Sequence, residues 1–303
     1  MKMKLLTYIE QGEPRLAMKT GQGVLDVMEA LKAVQPQDAA VYPASVMEAI
    51  AGGDEAAVRL QRLADEAAAS SPDNRAIWKD ESSLAFAPCV TQPGKIVCVG
   101  LNYRKHAEET KAAIPAYPIL FNKFNNALTG HGSEVPLPAS VSDKVDYEAE
   151  LAIVIGRPAK DVDERHALEH VYGYTCANDL SARDLQLRTA QWMLGKTCDS
   201  FCPLGPYLVT ADEVGDPDDL AIGCTVNGDR RQSSRTSDMI FGCAEIVSYI
   251  SRHMTLQPGD VILTGTPEGV VLGMPKEKRV YLQPGDIVTV EIEKLGALTN
   301  RMV

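Results

Sequence analysis

Several classes of protein are excluded by what this sequence lacks. No run of about 18 apolar residues occurs in the 303-residue chain, so no segment reads as a membrane-spanning helix. The first residues turn polar at Glu10-Gln11-Gly12-Glu13, and the apolar core of a secretion signal is missing. A cytoplasmic location is therefore expected. The seven cysteines are odd in number and scattered, which argues against a disulfide framework. Cys198 and Cys202 lie four apart, but no second pair joins them to complete a zinc site, and all seven read as free, partly buried thiols. Aromatic residues are scarce: two Trp and five Phe give little material for the exposed platforms of a sugar-binding β-module. Positive charge is also in deficit. A net charge of −11 repels nucleic acid and anionic membranes, so an anionic substrate would need basic residues gathered locally.

What is present is enough for a full core: 45% of residues are hydrophobic, and the length suits one large domain with a smaller companion. Residues 1–90 read as a small α+β N-terminal domain. Strands are expected at Lys4–Ile9 and Arg15–Lys19, and helices at Val24–Val34, Ser45–Ile50 and Ala56–Ala69, where Ala, Leu, Arg and Glu favour helix. No acid, base or nucleophile constellation stands out there, so a packing or assembly role is the plainer reading. From 91 to 303 the texture becomes β-rich, with strands expected at Ile96–Val99, Leu151–Ile155, Val171–Ala177 and Tyr207–Val209, and an Asn-Gly hairpin at Val226–Asp229. Helices are expected near Tyr103–Lys111, Glu164–His170 and Cys243–Arg252. Leu256-Gln257-Pro258-Gly259-Asp260-Val261-Ile262 is echoed at Leu282-Gln283-Pro284-Gly285-Asp286-Ile287-Val288, each copy a Pro-Gly-Asp turn launching a strand. The fold class is α+β, with a curled, β-rich main body.

The chemistry concentrates in four stretches. Asp146-Tyr147-Glu148-Ala149-Glu150-Leu151 runs into an apolar strand, and residues two apart in an extended chain share a face, so Glu148 and Glu150 project together. Paired carboxylates at the entry of a buried strand are costly unless a cation or base compensates them. Asp179 closes the next apolar run as a third acid. Three carboxylates make a hard-oxygen set suited to Mg²⁺, Mn²⁺ or Ca²⁺ rather than zinc, with positions left open for substrate. A surface strand carrying two solvated glutamates is the alternative. His106 and Glu109 are three apart on one helix face, where a carboxylate-oriented His can serve as a general base, although Arg104, Lys105 and Glu108 also suit a merely solvated face. Arg183, Gln186 and Lys196 follow Asp179 closely and offer donors for a substrate carboxylate or an enolate. The Thr264-Gly265-Thr266-Pro267 loop offers hydroxyls and N–H groups to an anion, or else forms a tight turn with its hydroxyls already satisfied.

Taken in order, Gly100-Leu101-Asn102-Tyr103 with His106 and Glu109, the Asp-Tyr-Glu-Ala-Glu-Leu-Ala run at 146–152, Asn178-Asp179 with Ser181-Ala182-Arg183-Asp184, Gly195-Lys196, Cys202-Pro203-Leu204-Gly205-Pro206 and Leu263-Thr264-Gly265-Thr266-Pro267 resemble the fumarylacetoacetate hydrolase family. The resemblance implies a mixed β-roll or β-sandwich catalytic domain, usually a homodimer. It implies that Glu148, Glu150 and Asp179 bind Mg²⁺ or Mn²⁺, that His106 and Glu109 activate water, and that Arg183, Gln186, Lys196 and Thr266 contact substrate or stabilise an enolate. Members acting on fumarylacetoacetate itself carry an extra acid shortly before the catalytic His, whereas Val97-Cys98-Val99-Gly100 has none. That departure points to the smaller-substrate branch. The expected activity is metal-dependent C–C hydrolysis of an acylpyruvate to pyruvate and a carboxylate. The alternatives are oxaloacetate decarboxylation, isomerisation or hydration of a 2-oxo-alkenoate, or metal binding without turnover.

Overall fold

The computed structural model describes residues 2–303. Near the N-terminus, β1 (Lys4–Glu10), β2 (Glu13–Lys19) and β3 (Val24–Asp26) form an antiparallel meander. The helix expected from Val24 starts three residues later, as α1 (Val27–Val34), because Val24–Asp26 pairs with β2 and Asp26 then caps the helix by accepting from the Glu29 N–H at 2.8 Å. The two helices expected at 45–50 and 56–69 are one kinked element, α2 (Val46–Ser70), with Gly53 in a non-helical conformation at the kink. Its start is fixed reciprocally: Ser45 Oγ accepts from Glu48 N–H at 3.2 Å, and Glu48 Oε2 accepts from Ala44 N–H at 2.8 Å.

The remaining principal elements are β4 (Ile96–Gly100), α3 (Arg104–Thr110), β5 (Ile119–Lys123), β6 (Ala149–Ile155), β7 (Val171–Asn178), β8 (Cys202–Thr210), β9 (Ala221–Val226), β10 (Asp229–Arg235), α4 (Cys243–His253), β11 (Val261–Leu263), β12 (Ile287–Ile292) and β13 (Gly296–Met302). The expected helix at 164–170 is split into an α turn, Glu164–Ala167, and a 3-10 turn, Leu168–His170.

Among the described residues the strands make a 12-stranded sheet, a 5-stranded sheet and a 2-stranded pair. The large sheet runs Trp78–Lys79, β3, β2, β1, β8, β7, β6, β11, β4, β5, with short strands at Ala85–Phe86 and Leu128–Thr129 joining from the side. Pairing of β1 with β8 carries the sheet from the first 90 residues directly into the rest of the chain. The smaller sheet runs β10, β9, β12, β13, Glu134–Val135. This is the mixed α+β architecture expected.

All seven residues of β6 are buried, and from Leu151 onward the strand is a continuous apolar run rather than an alternation. It lies between β7 and β11, with Ala149 opposite Asn178 and Ala152 opposite Leu263. That register brings three strand ends together: the entry to β6 with Glu148 and Glu150, the exit of β7 with Asp179, and the exit of β11 with Thr264–Thr266. β4 pairs parallel to β11 and delivers α3 to the same end.

Candidate active site

The strand ends meet around a cavity of about 670 Å³, lined by His106, Glu109, Glu148, Glu150, Arg183, Gln186, Lys196 and Thr266, among others. Ligand oxygens of Glu148, Glu150 and Asp179 all lie within 4.8 Å of one another. The three carboxylates are buried, which excludes the solvated surface strand. Lys196 Nζ donates to Glu148 Oε2 and to Asp179 Oδ2, both at 2.7 Å. Arg183 pairs with Glu148 Oε1 at 2.7 Å and with Asp146 Oδ2 at 2.8 Å. Lys123, also buried, forms an ion pair with Asp179 and donates to the Lys196 carbonyl at 2.6 Å.

Burial by itself would raise the Glu148 carboxyl, but Lys196 and Arg183 hold it well below the usual carboxylate range. Burial would likewise lower Lys196, yet Asp179 and Glu148 keep it protonated, so it serves as a cation and donor rather than a base. Glu150 differs. Burial, then Asp179 and Glu148, push its carboxyl well above the ordinary range. It accepts from Gly265 N–H at 2.8 Å and has no ion pair among the described residues. The cluster thus sets Asp146, Glu148, Glu150 and Asp179 against Lys123, Arg183 and Lys196, leaving one carboxyl without a counter-charge. A buried all-oxygen donor set with an uncompensated acid fits a divalent cation held by Glu148, Glu150 and Asp179.

The His–Glu pair is formed as well. His106 Nδ1 lies 2.8 Å from Glu109 Oε1, with His106 buried. Glu109 is fixed in turn by the Gly269 N–H, which donates to Oε2 at 2.9 Å. With Nδ1 held by a carboxylate, the imidazole keeps Nε2 for proton transfer.

Two expectations change in detail. Most of the 264–266 loop is committed within the protein: Gly265 N–H serves Glu150, Thr264 Oγ1 donates to the Leu151 carbonyl at 2.9 Å, and Thr266 Oγ1 accepts from Gln232 Nε2 at 2.8 Å, which leaves the Thr266 O–H to donate. Thr266 still lines the cavity. Arg183 is largely committed within the protein, since its Nη1 also donates to Gln186 Oε1 at 2.9 Å, and only Nη2 is buried without a partner.

Sequence reasoning gave no role to Asp146, Lys123, Asn102 or Gln232. Asp146 joins Arg183 to the backbone N–H groups of Val271 and Leu272, each at 3.0 Å. Asn102 ties the Thr264 and Phe241 carbonyls together at 2.7 and 3.0 Å. Gln232 bridges Ala149 N–H to Thr266. The one local signal was the density of polar residues beside apolar strands; their partners are up to 162 residues away.

Residues 95–303 match the family model described as fumarylacetoacetate (FAA) hydrolase C-terminal, more than half of the chain. The chain belongs to the fumarylacetoacetate hydrolase family. Within that family it is 45% identical over 240 residues, 78% of this chain and 74% of the other, to a Xenopus laevis protein named oxaloacetate tautomerase fahd2, mitochondrial. Among solved structures it is similar to a fumarylacetoacetate hydrolase from Exiguobacterium antarcticum, with a TM-score of 0.81, 35% identity and 99% of both chains covered. It is also similar to a maleylpyruvate hydrolase from Sphingobium sp. SYK-6, with a TM-score of 0.75, 30% identity and 99% of both chains covered. The fold is that of this enzyme family, and no helix among the described residues is long and apolar enough to cross a membrane.

Proposed function

We propose that this chain acts on a small 2-oxo acid of the oxaloacetate class and interconverts its keto and enol forms. The observation that carries this reading is the likeness to the oxaloacetate tautomerase, which at 45% over most of both chains exceeds the 30% likeness to the maleylpyruvate hydrolase. The site suits the chemistry. His106, oriented by Glu109, takes a proton from the carbon beside the keto group; the electron pair moves into the new C=C bond, and the keto oxygen becomes an enolate oxygen. Lys196, held as a cation by Glu148 and Asp179, stabilises negative charge in the cavity, and the free Nη2 of Arg183 meets the substrate's first carboxylate. Delivering that proton from the His106 imidazolium to the enolate oxygen completes the enol, and the same transfers in reverse return it to carbon, with no water consumed. Mg²⁺ or Mn²⁺ held by Glu148, Glu150 and Asp179 would polarise the keto group and lower the energy of the enolate.

A second reading is C–C hydrolysis of an acylpyruvate, giving pyruvate and a carboxylate. The same His106–Glu109 pair is placed to deprotonate a water, and the maleylpyruvate hydrolase shares the fold over nearly the full length. Either activity is expected in a cytoplasmic homodimer.

The test follows the decay of enol absorbance in oxaloacetate, in parallel with pyruvate release from acetylpyruvate and fumarylpyruvate, with chelator and with Mg²⁺ or Mn²⁺ restored. Chelator-sensitive tautomerisation is expected, and His106→Ala should slow it by about 10²–10⁴-fold while metal binding persists. Pyruvate release from an acylpyruvate with oxaloacetate untouched would replace the first reading by the second; an unchanged rate in His106→Ala would remove the base from both.

A further inference from the structure

The cavity has a second cationic feature, separate from the groups around the carboxylates. Residues 272–276 and Arg279 form one of its walls, with Lys276 exposed and Arg279 half-buried. The guanidinium is fixed from behind: Nη2 donates to the Leu272 carbonyl at 2.6 Å and Nε to the Met274 carbonyl at 2.9 Å. Arg279 forms no ion pair among the described residues, and its Nη1 is not engaged within the protein. Unlike Arg183, which is buried and has only Nη2 left over from Asp146, Glu148 and Gln186, Arg279 is half-buried and forms no ion pair with a carboxylate of its own chain.

The wall that bears it is tied to the floor of the site. Asp146 accepts the Val271 and Leu272 N–H groups and holds Arg183, which holds Glu148. A Cβ on Gly273 would lie 2.4 Å from Glu109 Cδ, so the wall packs directly on the His–Glu pair. Arg279 is thereby tied, through Leu272, Asp146 and Arg183, to the carboxylate cluster. In a protein of net charge −11, an immobilised cation with an open N–H at the mouth of a cavity selects for negative charge on the outer end of the ligand.

We propose that Arg279 recognises the second carboxylate of a dicarboxylic 2-oxo acid and so determines that the site takes a diacid rather than a monoacid. The inference rests on the 2-oxo acid reading above. An arginine held by two backbone carbonyls has already lost its side-chain freedom, so a carboxylate gains charge-assisted hydrogen bonding at little further entropic cost.

The experiment compares oxaloacetate with its C4 monoethyl ester, which keeps the 2-oxo acid head and removes the outer charge, on wild-type protein, Arg279→Gln and Arg279→Lys. Each is measured for turnover and for equilibrium binding by calorimetry, and oxalate, which mimics the head alone, reports whether the inner site is intact. Wild type is expected to prefer oxaloacetate over the ester by about tenfold or more. Arg279→Gln should erase that preference by weakening oxaloacetate alone, with oxalate and ester binding unmoved, and Arg279→Lys should restore part of it. Binding separates the two layers: if oxaloacetate binds with the expected charge preference but is not turned over, the tautomerase reading fails and the role of Arg279 stands. Equal affinity of wild type for diacid and ester, or a preference that survives in Arg279→Gln, overturns the proposal. Loss of oxalate binding along with oxaloacetate would instead give Arg279 a purely structural part in the wall, and would overturn it too.

Discussion

The two Pro-Gly-Asp turns have almost the same letters and the same local geometry, yet they serve different ends. In the first, Gly259 takes φ +87° and Asp260 Oδ2 accepts from Gln257 N–H at 2.8 Å; in the second, Gly285 takes φ +97° and Asp286 Oδ2 accepts from Gln283 N–H at 2.8 Å. Beyond the turns they diverge. Asp260 is fully buried and paired with Lys95 at 2.7 Å, and the turn launches β11, buried throughout between β6 and β4. β11 then delivers Gly265 to Glu150. Asp286 is near the surface, where Oδ1 accepts from Asn227, and β12 alternates between buried and exposed positions in the smaller sheet. One chemistry of turn formation is used twice, and only the copy with strands on both sides that end at the cavity contributes to the site.

The largest effect that separates the copies should come just past the first. Gly265 has φ +101°, and a Cβ there would sit 2.8 Å from Asn102 Cβ and 3.1 Å from the Val99 carbonyl oxygen. Gly265→Ala must displace the loop and loosen its bond to Glu150, and kcat/KM for the preferred 2-oxo acid is expected to fall by about 10²-fold. At Gly285 a Cβ meets nothing within 4 Å, so Gly285→Ala should cost about 1 kcal/mol of stability through its positive φ and leave kcat/KM unchanged. Equal kinetic losses in the two variants would end the distinction.

A smaller contrast lies in the aspartates themselves. Asp260→Ala removes a buried carboxylate that holds both Lys95 and a backbone N–H, and should cost about 2–3 kcal/mol in urea unfolding; Asp286→Ala should cost about 0.5–1.5 kcal/mol. The ordering would be reversed if exposure did not govern the cost.

The smallest effect sharpens the second copy. Thr299 of β13, paired with Thr289 of β12, donates its N–H to His131 Nδ1 at 3.0 Å. Burial pulls the His131 pKa below its ordinary 6.5, so the unfolded chain takes up the proton first as pH falls. The stability His131 contributes is present above about pH 6.5 and is lost as pH drops through the folded-state value beneath it. In denaturation curves across that window, His131→Gln should flatten the slope of stability against pH; an unaltered slope would place the titration elsewhere.

Much of this was legible in the sequence for local reasons. The apolar run at 151–155, the Asn-Gly hairpin and the Pro-Gly-Asp turns are short-range devices, and their elements form where the letters place them. Errors arose where another strand intervened: Val24–Asp26 is strand because it pairs with β2 on one side and with Trp78–Lys79 on the other. At the site, the spacing of two along a strand and three along a helix put Glu148 with Glu150 and His106 with Glu109. The sequence by itself thus determined the turns, the strand cores and which residue types would carry charge into the interior. Only the tertiary structure decided that Lys196 neutralises Glu148 and Asp179, that Glu150 is left without a counter-charge, that Asp146 joins Arg183 to the wall bearing Arg279, and that of two like turns one feeds the cavity. The physical reason is range: a turn is settled by the few residues that make it, whereas the charge balance of a buried site is settled by whichever strand ends the sheet register brings together.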